Sequence, residues 1–418
     1  MNIYKSNEIM NLFYLFLNFI YKFIDFTNSI NVIFILLIFV IIYHIVLFFL
    51  KDRKLIQSYN KFSDIKNISL ESLKEVPLVN ILIPAWKEGE IFRECLNSIV
   101  KLNYPKLKVI VNAGGNKQTM DIVNSFKNNK NFTILHQKGG SIRPSLGKIK
   151  ALNECINQVN EGLVYFIDAD SYLTDEILLR MIFPIVNMKE NIVVGGVRPL
   201  KTQENKILVK YLQFERNANF KRKFKRYSDS KTFAGANTCI KYDILKKLGK
   251  FSINNKYATD RSMAEDLLLL GIKFYRLHDY GHRIFVEFPN TIKEYIKQKT
   301  IWAENFLMFT LKKKSYSNLL KVLALSFISF YMIIFPILFF FNIGLFAIGF
   351  SIFISILLKK IRKYLFFKST ICKQHEIKYP KWFIFPLIFY IFLEALNNFI
   401  IPFHFIYYVI KLKKKSKN

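Results

Sequence analysis

The chain has 418 residues, a net charge of +32 and 52% apolar residues. Length alone allows about two or three soluble domains, but the apolar residues are bunched into long runs, which excludes a uniformly soluble reading. Cys95, Cys155, Cys239 and Cys372 stand far apart without paired spacing, so neither a disulfide framework nor a zinc site is indicated and buried free thiols in a reducing compartment are expected.

In chain order, residues 10–26 are apolar but hold Lys22 and Asp25, so an interfacial helix and a span are both open. Val32 to Leu50 is uncharged apart from His44 and long enough to cross a bilayer, which takes about 20 residues. A signal peptide would have a shorter apolar core and a small-residue cleavage site. Near the other end, Val322 to Leu358 is a longer apolar run interrupted by Pro336 and by Asn342-Ile343-Gly344, which predicts two spans with a tight turn. Trp382 to Ile410 contains Pro386, Glu394, Asn397, Asn398 and Pro402; it is long for one helix and short for two, and a hairpin is expected.

Basic residues crowd beside these runs, at Lys51-Asp52-Arg53-Lys54, Lys312 to Lys314, Lys359 to Lys363 and Lys411 to Lys415. Such flanks mark the cytoplasmic side. If all four lie there, the last run must return to its starting side. AT-rich coding is another source of the lysines, and attraction to anionic lipid fits either origin. A nucleic-acid partner is not indicated, because no base-reading motif accompanies the charge. The expected organisation is a membrane segment over 1–54 with its main span at 32–50, a cytoplasmic domain over 76–310, and a membrane region over 311–418 with spans near 322–341, 343–358 and 382–410.

Between these regions short apolar runs alternate with amphipathic stretches. Strands are predicted at Val79 to Ile83, Lys108 to Val111, Phe132 to Leu135 and Gly162 to Ile167, with helices at Glu90 to Lys101, Gln118 to Lys127 and Lys148 to Gln158. This rhythm predicts an α/β fold with a mostly parallel sheet. Ligands of such sheets bind beyond the carboxyl ends of the strands, where Pro84 to Glu88, Asn112 to Asn116 and Asp168 to Ser171 would converge.

Asp168-Ala169-Asp170 follows the strand Val164 to Ile167, and residues two apart share a side of a strand. Such carboxylates suit a hard cation, Mg²⁺ or Mn²⁺, held against a diphosphate; alone, the pair is also an ordinary solvated turn. Glu88 ends the first strand, Gly147-Lys148 opens a helix where an anion can sit, Glu265-Asp266 precedes a run of leucines, and Gln298 and Trp302 share a helical face. Each has a plainer reading: helix N-terminal acidity for Glu265-Asp266, an interfacial indole for Trp302, a surface lysine for Lys148.

Together these elements resemble the family-2 glycosyltransferases, in particular their membrane-embedded members, over about residues 76–305. The resemblance implies a GT-A domain flanked by transmembrane helices, a nucleotide-sugar donor, inversion at the anomeric carbon, and a polysaccharide or polyprenyl-lipid acceptor in or at the lipid bilayer. By the same resemblance Glu88 belongs to the nucleotide pocket, Asp168 and Asp170 meet the donor diphosphate and its Mg²⁺ or Mn²⁺, Asp266 is the catalytic base, and Gln298 with Trp302 forms the Gln-X-X-Arg-Trp helix. Lys148 is the candidate cation for the diphosphate.

Two positions depart from the pattern. The second strand ends Asn112-Ala113-Gly114-Gly115-Asn116 where an acidic residue is usual, with Asn112 left to bond a base edge; and Ile301 stands where arginine is expected, so that Lys297, Lys299 or Arg283 would have to supply its charge. These departures keep a second expectation alive, a non-catalytic membrane scaffold on a degenerate GT-A fold. Gly235-Ala236-Asn237 resembles the family's acceptor-side loop, and the basic run Lys221 to Arg226 suits either anionic lipid or solvent.

Overall fold

The computed structural model describes residues 14–15, 18, 30–61, 68–137, 144–217, 227–228, 235–249, 259–312 and 314–415. The run Lys221 to Arg226 and nearly all of residues 10–26 lie outside them. The chain divides into two compact units: residues 59–313, and the segments 1–58 with 314–418.

The first unit is mixed α/β. In chain order its elements are β1 (Val79–Trp86), α1 (Glu90–Val100), β2 (Leu107–Gly114), α2 (Lys117–Asn124), β3 (Phe132–His136), α3 (Pro144–Ile156), β4 (Leu163–Phe166), β5 (Ser171–Tyr172), α4 (Asp175–Asn187), β6 (Ile192–Val194), β7 (Val197–Pro199) and α5 (Ile207–Asn217). Then come β8 (Tyr227–Ser228), β9 (Thr238–Lys241), α6 (Tyr242–Leu248), α7 (Thr259–Leu269), β10 (Phe274–Arg276), β11 (Ile284–Val286) and α8 (Ile292–Lys312). Among the described residues the main sheet has eight strands in the order β3-β2-β1-β4-β9-β6-β10-β8, and a second sheet has the order β5-β11-β7.

Strands β1 to β4 run parallel, with β9 antiparallel between β4 and β6. Val79 to Ile83 are wholly buried, as a central strand covered on both faces requires. Pro84 lacks an N–H, yet it sits in the middle of the sheet. The β1–β4 ladder has already ended at Leu82 and Phe166, so no bond is lost on that side. Register sets Pro84 level with Asn112 and Trp86 level with Gly114. The carboxyl ends of β1, β2 and β4 therefore meet at one edge.

Helix entry follows the local chemistry. Asn116 caps α2 by accepting from the Thr119 N–H at 2.9 Å, and Thr174 caps α4 through Ile177. Helix α3 starts at Pro144, four residues before Lys148, because proline at a first helical position gives up a donor that has no partner there. Lys148 thus sits in the second turn instead of opening the helix. Leu82, Ile110, Ile149, Leu152, Val164 and Phe166 form the core between this helix and the sheet. The four cysteines are buried and free.

In the second unit, among the described residues, four helices are long and apolar enough to cross a membrane, over Ile35–Tyr59, Tyr316–Leu338, Ile343–Cys372 and Lys381–Phe403. The N-terminal helix continues from Leu47 through a π turn into Arg53–Lys61. Asn342 separates the next two, accepting from the Leu345 N–H at 2.9 Å.

The last run departs from the expected hairpin: Ile384–Lys415 is one helix of 32 residues with Pro402 inside it. The polar residues that suggested a turn are instead held against the neighbouring helices, Glu394 accepting from Lys360 Nζ at 3.1 Å and Asn397 buried. Neighbouring helices let membrane helices tolerate such residues. With no return within this helix, the loop flank Lys359 to Lys363 and the tail flank Lys411 to Lys415 fall toward opposite ends of it. Part of the loop flank is also not free charge. Arg362 makes a two-pronged pair with buried Asp52, at 2.5 and 2.9 Å, and touches His44 Nδ1 at 3.1 Å.

Candidate active site

At the carboxyl edge of β1 and β4 lies a cleft of about 410 Å³, lined among others by Trp86, Glu88, Lys148, Asp168, Asp170 and Glu287. Four of the expected site residues thus come together. Lys148 Nζ stands 2.5 Å from Asp168 Oδ1, with both side chains about one-third exposed.

Glu88 follows a tight turn. Lys87 has φ 60°, a left-handed conformation unusual for a non-glycine residue. The Glu88 N–H then donates to Thr119 Oγ1 at 2.7 Å, while its carboxylate accepts from the Trp86 N–H at 3.4 Å. Gly114 makes room beside this turn, since a Cβ there would come 2.9 Å from the Trp86 ring and from the Gln137 carbonyl.

The electrostatics of the cleft are those of crowded acids. Burial, then the charges of Asp168 and Glu88, push the Asp170 carboxyl well above the usual carboxylate range. Burial also raises Glu88, helped by Asp168 and Glu287. Lys148 is pulled down by burial, but Asp168, Asp260 and Asp170 outweigh this and hold its ammonium above its ordinary value. The site has more negative charge than one lysine offsets.

These residues fit a hard divalent cation. No cluster of three or more acidic, histidine or cysteine side chains able to hold a metal occurs among the described residues. Among the described residues the cleft offers a pair of carboxylates, Asp168 and Asp170, and Mg²⁺-type sites use such a pair when substrate phosphates and water complete the shell.

Other expected residues lie elsewhere. Asn112 is wholly buried beneath α3, its amide donating to Glu154 Oε2 at 2.5 Å and to the Ala151 carbonyl at 3.3 Å. It does not line the cleft, which corrects the base-edge expectation; alternation along β2 turns its side chain into the layer under the helix. Asp266 is half-buried on the third turn of α7 and also does not line the cleft. Gln298 and Trp302 form a group on α8, where Trp302 is 47% exposed. Arg283 is buried against Tyr280, 5.5 Å from its ring, and Lys299 lies over the rings of Tyr295 and Trp302.

The profile of the family described as "Glycosyltransferase like family 2" matches residues 77–305, more than half of the chain. The chain belongs to this family. Its mixed α/β core is of GT-A type. The probable glycosyltransferase YdaM of Bacillus subtilis (strain 168) is 28% identical over 288 residues, covering 65% of this chain and 66% of its own. The poly-beta-1,6-N-acetyl-D-glucosamine synthase of Staphylococcus epidermidis is 26% identical over 271 residues, covering 62% of this chain and 59% of its own. This family-2 chain thus spans about two thirds or less of the length of those curated relatives. Among solved structures, the mannosyltransferase PcManGT from Pyrobaculum calidifontis, in complex with GDP-Man and Mn²⁺, is similar with a TM-score of 0.49 at 14% identity, over 91% of this chain and 98% of that one.

Three groups of the family-2 domain escaped the sequence reading. Glu287 lines the cleft directly after β11, and an acid following a strand, as at Glu88, was a signal that could have found it. Asp260, on α7 with Asp266, accepts from the Gly235 N–H at 3.2 Å, and its charge acts on Lys148. Arg216 of α5 donates to Gln298 Oε1 at 3.3 Å. Nothing in the spacing of α5 or α7 singles out either residue.

Proposed function

We propose that the protein is a membrane-bound inverting glycosyltransferase that moves a sugar from a nucleoside diphosphate donor to a polysaccharide or a polyprenyl-linked lipid. The observation that carries this is the cleft itself: Glu88, Lys148, Asp168 and Asp170 converge at the carboxyl edge of a family-2 domain. The names of the synthase and transferase relatives support it, as do the four apolar helices.

In this reading the donor diphosphate lies against Lys148 and the Asp168–Asp170 pair. A divalent cation, Mg²⁺ or Mn²⁺, held by those two carboxylates would offset charge on the diphosphate as it leaves. Asp266 accepts the proton of the acceptor hydroxyl, whose oxygen forms the new bond to the anomeric carbon from the face opposite the diphosphate. The bond from that carbon to the phosphate oxygen breaks, its electron pair stays on the diphosphate, and Lys148 neutralises part of that charge. Glu88 borders the nucleotide, and Trp302 offers an exposed ring face to a sugar. Lys51, Arg53 and Lys54 beside the first helix support a cytoplasmic active site.

The test is detergent-solubilised protein with labelled nucleotide sugars, Mn²⁺ or Mg²⁺ and native lipids, scored by released nucleoside diphosphate and labelled product. Turnover with one donor is expected. No turnover with any donor, or a glycan unchanged by Asp266→Asn in cells, would leave the non-catalytic scaffold as the better account.

A further inference from the structure

Arg216 stands next to the last residue of α5, directed at α8. Its Nη2 donates to Gln298 Oε1 at 3.3 Å, and its guanidinium carbon lies 4.1 Å from the centre of the Phe288 ring and 5.4 Å from that of Trp302. No carboxylate among the described residues pairs with it. Burial pulls the guanidinium down to about 10, and the acid whose charge acts the other way is Asp170.

Arg216 is half-buried; a cation partly withdrawn from water without an anion is costly, and such groups are kept where an anion arrives or a counter-charge is placed. Two other cations of this unit are already committed to acids: Arg180 to Asp279 and Glu176, and Lys148 to Asp168. Arg216 is held by an amide and two ring faces, contacts that orient a weakly hydrated, planar guanidinium without neutralising it. Gln298 and Trp302 position it, it lies over Phe288, the residue after cleft-lining Glu287, and the charge of Asp170 acts on it. Position 301, on the same helix as Gln298, holds an isoleucine that is 41% exposed and can supply no charge.

We propose that Arg216 is the second cation of the donor site, binding the sugar-bearing phosphate of the nucleoside diphosphate through its two-pronged guanidinium, so that α5 supplies the charge that α8 lacks at Ile301. This rests on the transferase reading. It assigns to Arg216 the outer, sugar-bearing phosphate, with Lys148 as the other cation facing the diphosphate.

The experiment compares binding of UDP with UMP, and of GDP with GMP, to the full chain in detergent with Mn²⁺. In Arg216→Gln, diphosphate affinity should fall about 10- to 100-fold, as loss of a charge-assisted contact implies, while monophosphate affinity changes less than about 3-fold. Adding Ile301→Arg to that variant should recover most of the loss. Arg216→Lys, which keeps the charge and loses the fork, should lie between, and it carries the test if Arg216→Gln does not fold. Unchanged diphosphate affinity overturns the inference. So does an equal loss for mono- and diphosphate, which would assign Arg216 to the packing of α5 on α8. Wild-type protein that binds none of the four nucleotides overturns the transferase reading itself, a result separable from both.

Discussion

Lys148 and Asp168 form an ion pair at 2.5 Å on the floor of the cleft, between the second turn of α3 and the end of β4. The pair sets aside one carboxylate and one cation before any ligand arrives. A diphosphate must therefore share Lys148 with Asp168.

Removing that lysine isolates its part in leaving-group stabilisation. Lys148→Met is expected to lower sugar transfer by about 10²-fold, the size typical of losing one preorganised charge on a developing anion. Steady-state kinetics with the preferred donor checks this, and the loss should appear mainly in kcat/KM.

Asp170 gives a pH signature. Its carboxyl is raised above its ordinary value of 3.8 by burial and by Asp168 and Glu88. The folded chain therefore holds this proton more tightly than the unfolded chain. Its stabilising contribution is complete below 3.8 and is lost as pH rises through the raised folded value. Metal-free Asp170→Asn should thus melt above metal-free wild type at pH 7.5, with the gap closing toward pH 4. Mn²⁺ should raise the melting temperature of wild type at pH 7.5 and leave Asp170→Asn unmoved. Thermal unfolding followed by tryptophan fluorescence reads both.

Asp266 and Asp260 share α7 but are expected to part in kinetics. Asp266→Asn should cut transfer by about 10²- to 10⁴-fold, the range for a general base, while nucleoside diphosphate binding is retained. Asp260, whose charge acts on Lys148 and Asp168, should affect binding as well as turnover when changed to Asn. Parallel binding and turnover assays separate the two.

Asn112→Asp would restore the acid usual at the end of the second strand, but this structure predicts harm. The amide it removes donates to Glu154 Oε2 at 2.5 Å, so the variant puts a wholly buried carboxylate next to a second, exposed one. A loss of about 2–4 kcal/mol is expected, without a change in nucleotide preference. Chemical denaturation and a donor screen are the measurements.

In the second unit, Arg362→Ala leaves Asp52, 2% exposed, without its guanidinium. Such an orphaned buried charge costs about 3–5 kcal/mol. The double change Arg362→Met with Asp52→Leu should recover most of the melting temperature in the same detergent, because the penalty lies in the unpaired charge.

Sequence by itself determined the parts whose signals are local. Period-two and apolar runs located β1 to β4, uncharged length located the long apolar helices, and an acid soon after a strand put Glu88, Asp168 and Asp170 at one sheet edge. Parallel register guarantees that convergence once the strands are known. Tertiary structure decided the rest, because it depends on which groups meet across long separations. Alternation and packing turned Asn112 under α3 toward Glu154. Pairing with Lys360 on a neighbouring helix kept Glu394 inside one continuous final helix. The packing of α5 on α8 brought Arg216 to Gln298, 82 residues later in the chain, supplying a charge beside the helix whose own arginine position is Ile301.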